Sequence, residues 1–138
     1  MNGPSKHLLW EELKCHNGVA YPNRFIDDGR VFKLAQAFED IRSLCGDKPI
    51  TVLSAYRTPE WNKKIGGAKL SQHVQGRALD LKPPEGLTVL QFYRLIKANY
   101  TDFGINGIGL YATFVHVDIR PSNRLVVWSS SMPKETRA

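Results

Sequence analysis

The sequence predicts an α+β fold: a small, mainly antiparallel sheet with helices packed on one side. Three observations predict it. Helical and strand-like stretches follow one another without regular βαβ alternation, which argues against a parallel sheet. The segments 78–81 and 114–119 alternate apolar and polar residues, the mark of strands with one buried face. Between Val31 and Leu44, the residues Val31, Leu34, Ala35, Phe38 and Ile41 recur at helical spacing.

Taken in order, residues 8–14 read as a short helical entry. A loop through Asn17-Gly18 and Tyr21-Pro22-Asn23 follows, and Asp27-Asp28-Gly29 leads into the core helix, which Gly46 ends. Ile50 to Ser54 is a β-branched run bounded by Pro49, hence a strand. Thr58 can cap a helix whose first position suits Pro59, and Gly66-Gly67 stops it. Residues 66–72 form a flexible lip. The strand Ala78–Leu81 ends at the turn Pro83-Pro84-Glu85-Gly86. Thr88 then caps a helix to about Asn99, with Leu90, Phe92 or Tyr93, and Ile96 facing inward. Gly104 to Gly109 reads as a loop into the strand 114–119, and Leu125 to Trp128 as an edge strand. The polar stretch 129–138 is expected to fray.

At 138 residues and 42% hydrophobic, the chain suits one domain, 1–138, with its core at about 8–128 and a core that needs no disulfides. No apolar run approaches the ~20 residues of a membrane span. The start, Met1 to His7, lacks the apolar region of a secretory signal. Cys15 and Cys45 are too few for a disulfide scaffold. Cys15-His16, with His7 and Cys45, has no paired metal-ligand spacing and is set aside as a second metal site. The net charge of +6 and a pI near 9.5 fit an anionic partner. No basic run or aromatic-interleaved stripe points to nucleic acid, and Lys63-Lys64 and Lys69 read as a solvated surface.

The chemistry concentrates in Ser71-Gln72-His73-Val74-Gln75-Gly76-Arg77-Ala78-Leu79-Asp80. An imidazole and a carboxylate bracket a glycine that lets the chain turn sharply into a strand. Asp80 shares a strand face with Ala78, whose small side chain leaves room beside it. On the later strand Phe114, His116 and Asp118 face one way, and Val115, Val117 and Ile119 face the core. His73, Asp80 and His116 therefore form a candidate zinc site. Three protein ligands with an open fourth position is the catalytic pattern, so the arrangement suggests an enzyme.

Together with Ser54-Ala55-Tyr56-Arg57, these residues resemble the zinc D-Ala-D-Ala carboxypeptidase and endopeptidase family, which shares its fold with the hedgehog signalling domain. The family pattern S-x-H-x-x-G-x-A-x-D is met at Ser71, His73, Gly76, Ala78 and Asp80. The preceding S-x-Y-R turn is met at Ser54, Tyr56 and Arg57, and the last ligand at His116. The resemblance spans roughly residues 8–120. The opening Leu9-Trp10-Glu11-Glu12-Leu13, the Pro49-Ile50 strand and the ending from Gly109 to Arg120 are similar to small, single-domain, phage-type members.

The resemblance implies a monomeric peptidase with one Zn²⁺ per chain, acting on peptides of bacterial peptidoglycan. It implies no nucleic-acid or membrane partner, and release to the wall through lysis machinery or a virion. Arg57 is then expected to stabilise the oxyanion. Ser71 either contacts substrate or is an ordinary loop residue, and Tyr111 either reaches the oxyanion or is a core or rim aromatic. Where many members carry an acid that takes the proton of the attacking water, this chain has Thr113. Asp118 is the nearest substitute, either as that base or as the acceptor that orients an imidazole; Glu60 and Glu85 are more remote carboxylates. Two rivals stand beside this reading: a zinc-containing, non-catalytic wall-binding module of the same fold, and a basic nucleic-acid-binding domain supported by charge alone.

Overall fold

A computed structural model describes residues 2–130. Three helices precede the sheet: the short α1 (Trp10–Leu13) and α2 (Asn23–Asp27) and the long α3 (Arg30–Leu44). Then come β1 (Val52–Ser54), α4 (Pro59–Lys64), β2 (Ala78–Leu81), α5 (Val89–Ala98), α6 (Tyr100–Phe103), β3 (Gly107–Leu110), β4 (Val115–Asp118) and β5 (Val126–Ser129). The strands form one sheet in the order β1-β2-β4-β3-β5, antiparallel except for the parallel pair β3–β5. This is the expected α+β class. Among the described residues no helix is long and apolar enough to cross a membrane.

The alternating pattern of the strands divides the sheet into a core face and a polar face. Leu79, Leu81, Val115, Val117 and Ile108 are all buried and join one apolar cluster with Leu34, Phe38 and Ile41 of α3 and Phe92 and Ile96 of α5. At about 25 cal/mol per Å² of apolar area removed from water, this cluster is the main favourable term holding the helices to the sheet. Helix α5 starts as its sequence dictates: the Thr88 hydroxyl accepts from Gln91 N at 3.1 Å, and the Gln91 side chain accepts from Thr88 N at 2.9 Å. Thr58 caps α4 in the same way, accepting from Trp61 N at 3.1 Å.

Several expectations need correction. Leu90 is exposed, while Phe92 and Ile96 face inward as expected. The stretch read as a loop from Gly104 to Gly109 holds the strand β3. Two short helices, α2 and α6, occupy segments whose five and four residues are too few to display a period. Ser129 lies within β5 and Ser130 N donates to Leu110 O at 2.9 Å, so the ladder runs past the expected start of the tail. Residues 131–138 of that tail lie outside the described residues.

The N-terminal segment is fastened to α3 by Glu39. Its carboxylate accepts from Ser5 Oγ at 2.6 Å and His7 N at 2.7 Å, and its other oxygen lies 2.7 Å from His7 Nδ1. Burial works to raise the Glu39 pKa, but the bonds from Ser5 and His7 prevail and hold it below the ordinary glutamate value. The stability it contributes is therefore complete above that ordinary value and is lost as pH falls through the lower, folded one. Glu39→Gln is expected to cost about 1–3 kcal/mol at neutral pH. Urea unfolding of both proteins across a pH series should show the difference vanish in acid.

Candidate metal centre

The polar face of the sheet carries the site. β2 and β4 pair with Asp80 opposite His116 and Ala78 opposite Asp118, so these side chains stand side by side on one face. His73 reaches the same point from the turn before β2. That turn reverses at Gly76, whose φ of +66° is strained for any side chain, and a Cβ there would also meet Phe25 at 2.5 Å and the Tyr21 hydroxyl at 2.8 Å. Tyr21 in turn donates to Gly76 O at 2.7 Å, which fixes the turn from outside.

The three candidate ligands converge completely. His73, Asp80 and His116 are 0%, 3% and 0% exposed, and one ligand atom from each lies within 4.8 Å of the others. His73 Nε2 is 3.1 Å and His116 Nδ1 is 3.2 Å from the same Asp80 oxygen, Oδ1. Tautomers follow from the outer partners. His73 Nδ1 lies 2.7 Å from the Ala55 carbonyl, which can only accept, so that nitrogen carries the proton. His116 Nε2 lies 2.7 Å from Asp118 Oδ2, which as a carboxylate also accepts.

With both rings neutral, as ligation of a metal requires, two nitrogen lone pairs face one carboxylate oxygen. A cation at their centre resolves the repulsion, and two imidazoles with one carboxylate suit a divalent ion such as zinc. Burial pushes the His73 pKa below its ordinary value, favouring the neutral, ligating form, whereas at His116 burial is outweighed by the bonds to Asp118 and Asp80, which hold its pKa above the ordinary value while no cation is bound. Among the described residues this is the single such cluster of metal-ligand side chains. Cys15 is buried, and the exposed ring of His16 meets the edge of Trp61 at 6.3 Å.

A second layer holds the ligands. Arg57, only 1% exposed, donates from Nη2 to Asp80 Oδ2 at 3.2 Å, from Nη1 to Asn62 Oδ1 at 3.1 Å and from Nε to Ser54 Oγ at 3.2 Å. The irregular register of β1 against β2 bends the chain just before this residue. Asn62 also donates to Ala68 O at 2.8 Å, which ties the lip to Arg57.

Asp118 is fully buried and saturated. Its Oδ1 accepts from Arg120 N at 3.1 Å and Nε at 2.8 Å, and its Oδ2 accepts from Arg120 Nη2 at 2.7 Å as well as from His116. Burial opposes ionisation, yet the bonds from Arg120 and His116 hold its carboxyl well below the usual range. Gly107 faces Asp118 across β3 and β4, and a Cβ there would collide with the carboxylate. At Gly109 a Cβ would come within 2.5–2.8 Å of the Trp128 ring. The two glycines that disguised β3 as a loop are thus the room that Asp118 and Trp128 occupy.

Two cavities flank the centre. One, of about 280 Å³, is lined by Asp80, Arg57, Ser54, Thr113, Trp61 and His16. The other, of about 320 Å³, is lined by His116, Ser71, Gln72, Tyr111, Arg120 and Trp128. Ser71 is 4% exposed, and its Oγ accepts from His73 N at 3.1 Å, bracing the ligand turn. Tyr111 stacks on Phe114 at 4.5 Å and its hydroxyl accepts from Trp128 Nε1 at 3.0 Å. Glu60 and Glu85 line neither cavity. A larger cavity, about 720 Å³, lies beyond Arg120 beside Arg30, Arg77 and Asp102 and contains none of the three ligands. Volume is therefore a poorer guide here than the convergence of donor atoms.

The structure thus gathers His73, Asp80, His116, Arg57 and Asp118 into one bonded group and places Ser71 and Tyr111 at its edge. The reading of the sequence missed Asn62, Arg120, Trp128 and the Ala55 carbonyl. Arg120 had a signal, since it stands two residues after Asp118 on the same side of an alternating run; Asn62 and a backbone carbonyl had none.

A buried His-Asp-His triad on the polar face of a small mixed sheet is the arrangement of a candidate metal centre with three protein ligands. The chain belongs to the peptidase M15 family, whose family model matches residues 6–118. It is 46% identical over 41 residues to the zinc D-Ala-D-Ala carboxypeptidase of Streptomyces albus G. That stretch is 30% of this chain and 16% of the relative's length.

Proposed function

We propose that this protein is a zinc peptidase that hydrolyses an amide bond in the peptide stem or cross-link of bacterial peptidoglycan. It acts as a monomer with one Zn²⁺ held by His73, Asp80 and His116. The observation that carries the reading is the convergence of one nitrogen from each of two buried histidines on a single oxygen of the buried Asp80. Membership of the peptidase M15 family supports the peptidase assignment, and the zinc carboxypeptidase of Streptomyces albus G supports the metal and the substrate class. The resemblance to small phage-type sequences supports a role in host lysis or in a virion.

When bound, zinc supplies Lewis acidity, polarising a carbonyl and making water a better nucleophile. The chain's own residues do the rest. Arg57 fixes the orientation of Asp80 and brings a permanent positive charge to the cavity wall where an oxyanion grows. Ser71 and Tyr111 border the cavity beside His116, which supports their contact with a bound peptide. Asp118 acts as a positioning residue: with both oxygens engaged and its pKa depressed, it holds the His116 ring rather than taking a proton.

Asp118→Asn is accordingly expected to weaken zinc affinity by about 10–100-fold, the usual scale for an outer partner of a ligating histidine. Turnover at saturating zinc should fall much less. A competition titration against a chromophoric chelator measures the first, and peptide release the second. The reading as a whole is tested by chelation: release of peptides from purified walls should stop when the metal is removed and return when zinc is restored. Zinc-loaded protein that binds walls and releases nothing would instead indicate the non-catalytic module.

A further inference from the structure

Amide hydrolysis needs a group that accepts a proton from water and delivers one to the departing nitrogen. The carboxylates and imidazoles of the buried centre are committed elsewhere. Asp80 faces both histidines and Arg57, Asp118 serves Arg120 and His116, and the outer nitrogens of His73 and His116 are bonded to Ala55 O and Asp118. The cavity that reaches Asp80 and Arg57 has one further titratable side chain in its wall, His16.

His16 is held there by its neighbours. Cys15 is buried, with its N–H donating to Val19 O at 2.8 Å, and Gly18 N closes the turn onto Cys15 O at 2.9 Å. Asn17 Nδ2 donates to Thr58 Oγ1 at 3.1 Å, which anchors the turn to the cap of α4. The His16 ring itself is exposed, rests edge-on against Trp61, and has no hydrogen-bond partner among the described residues. Arg57 and Asp80, ion-paired to each other, line the same cavity, and Lys64 lies over the Trp61 ring at 5.6 Å.

We propose that His16 is the proton carrier of the site, a role that rests on the zinc-peptidase reading. As the water oxygen bonds to the scissile carbonyl carbon, its proton passes to the free ring nitrogen of His16. When the carbon–nitrogen bond breaks, the same proton goes to the nitrogen. The products are a carboxyl group and an amine, and the imidazole returns to its neutral form. An imidazole suits both transfers near neutral pH.

The test uses zinc-loaded full-length protein carrying His16→Ala or His16→Gln, exposed changes that leave the buried centre intact. Both should retain zinc and KM and lose about 10²–10⁴-fold in kcat. The fall in rate on the acidic side, where a protonated His16 cannot accept, should disappear with the ring, and free imidazole should partly restore the alanine variant. A readout independent of turnover is the NMR resonances of the His16 ring, which should move when zinc is added to metal-free protein. Unmoved His16 resonances, or a His16→Ala enzyme with wild-type kcat and pH profile, would overturn the proposal alone. Wild-type protein that binds zinc and cleaves no wall peptide would overturn the peptidase reading and this role with it.

Discussion

His116→Ala is expected to reduce bound zinc from one ion per chain to nearly none and to take peptide release to background. The imidazole is one of three ligands, and its loss also frees Asp118 Oδ2 and leaves Asp80 Oδ1 facing His73 alone. Unpairing buried charged groups costs about 3–5 kcal/mol, so part of the effect would be on folding. Chelated wild-type protein separates the two: it keeps every side chain and lacks only the ion. If circular dichroism shows both proteins folded and both are inactive, the loss belongs to the metal. His73→Ala should behave in the same way, with the Ala55 carbonyl left without its donor.

Arg57→Ala should reduce turnover by about 100-fold or more, the scale on which removal of one oxyanion donor acts. The structure adds a second consequence. Asp80 Oδ2 loses its guanidinium partner, and Asn62 loses the group that links the lip to the centre. Zinc affinity should therefore fall together with kcat, whereas a side chain acting on substrate alone would leave affinity unchanged. Arg57→Lys should recover only part of either quantity, because an ammonium lacks the planar fork that reaches Ser54, Asn62 and Asp80 at once. Steady-state kinetics at saturating zinc and a metal-competition titration on the same preparations distinguish these effects.

The centre was legible because its geometry is local. Alternation in 78–81 and 114–119 puts Asp80, His116 and Asp118 on the face opposite Leu79, Val115 and Val117, and strand pairing then sets Asp80 against His116. The turn at Gly76 brings in His73 from only seven residues away. What stayed hidden depends on contacts distant in sequence or on residues chosen for their smallness. Gly107 and Gly109 look like loop residues, yet they are strand positions emptied for Asp118 and Trp128. Leu90 fits a helical stripe, but Phe92 and Ile96 set the rotation of α5 and leave it outside. The part played by Asp118, open between base and orienting acceptor, turns on Arg120, whose bonds to both carboxylate oxygens favour the orienting role.

The most direct test of a zinc-dependent peptidase acting on the wall is a digest of purified peptidoglycan with zinc-loaded protein, followed by mass spectrometry of the fragments. The expected result is peptide fragments that each gain one water at an amide bond, with a new amine and a new carboxyl terminus, and none in the chelated control. Fragments cut within the sugar strand, or the same products with chelator present, would contradict it.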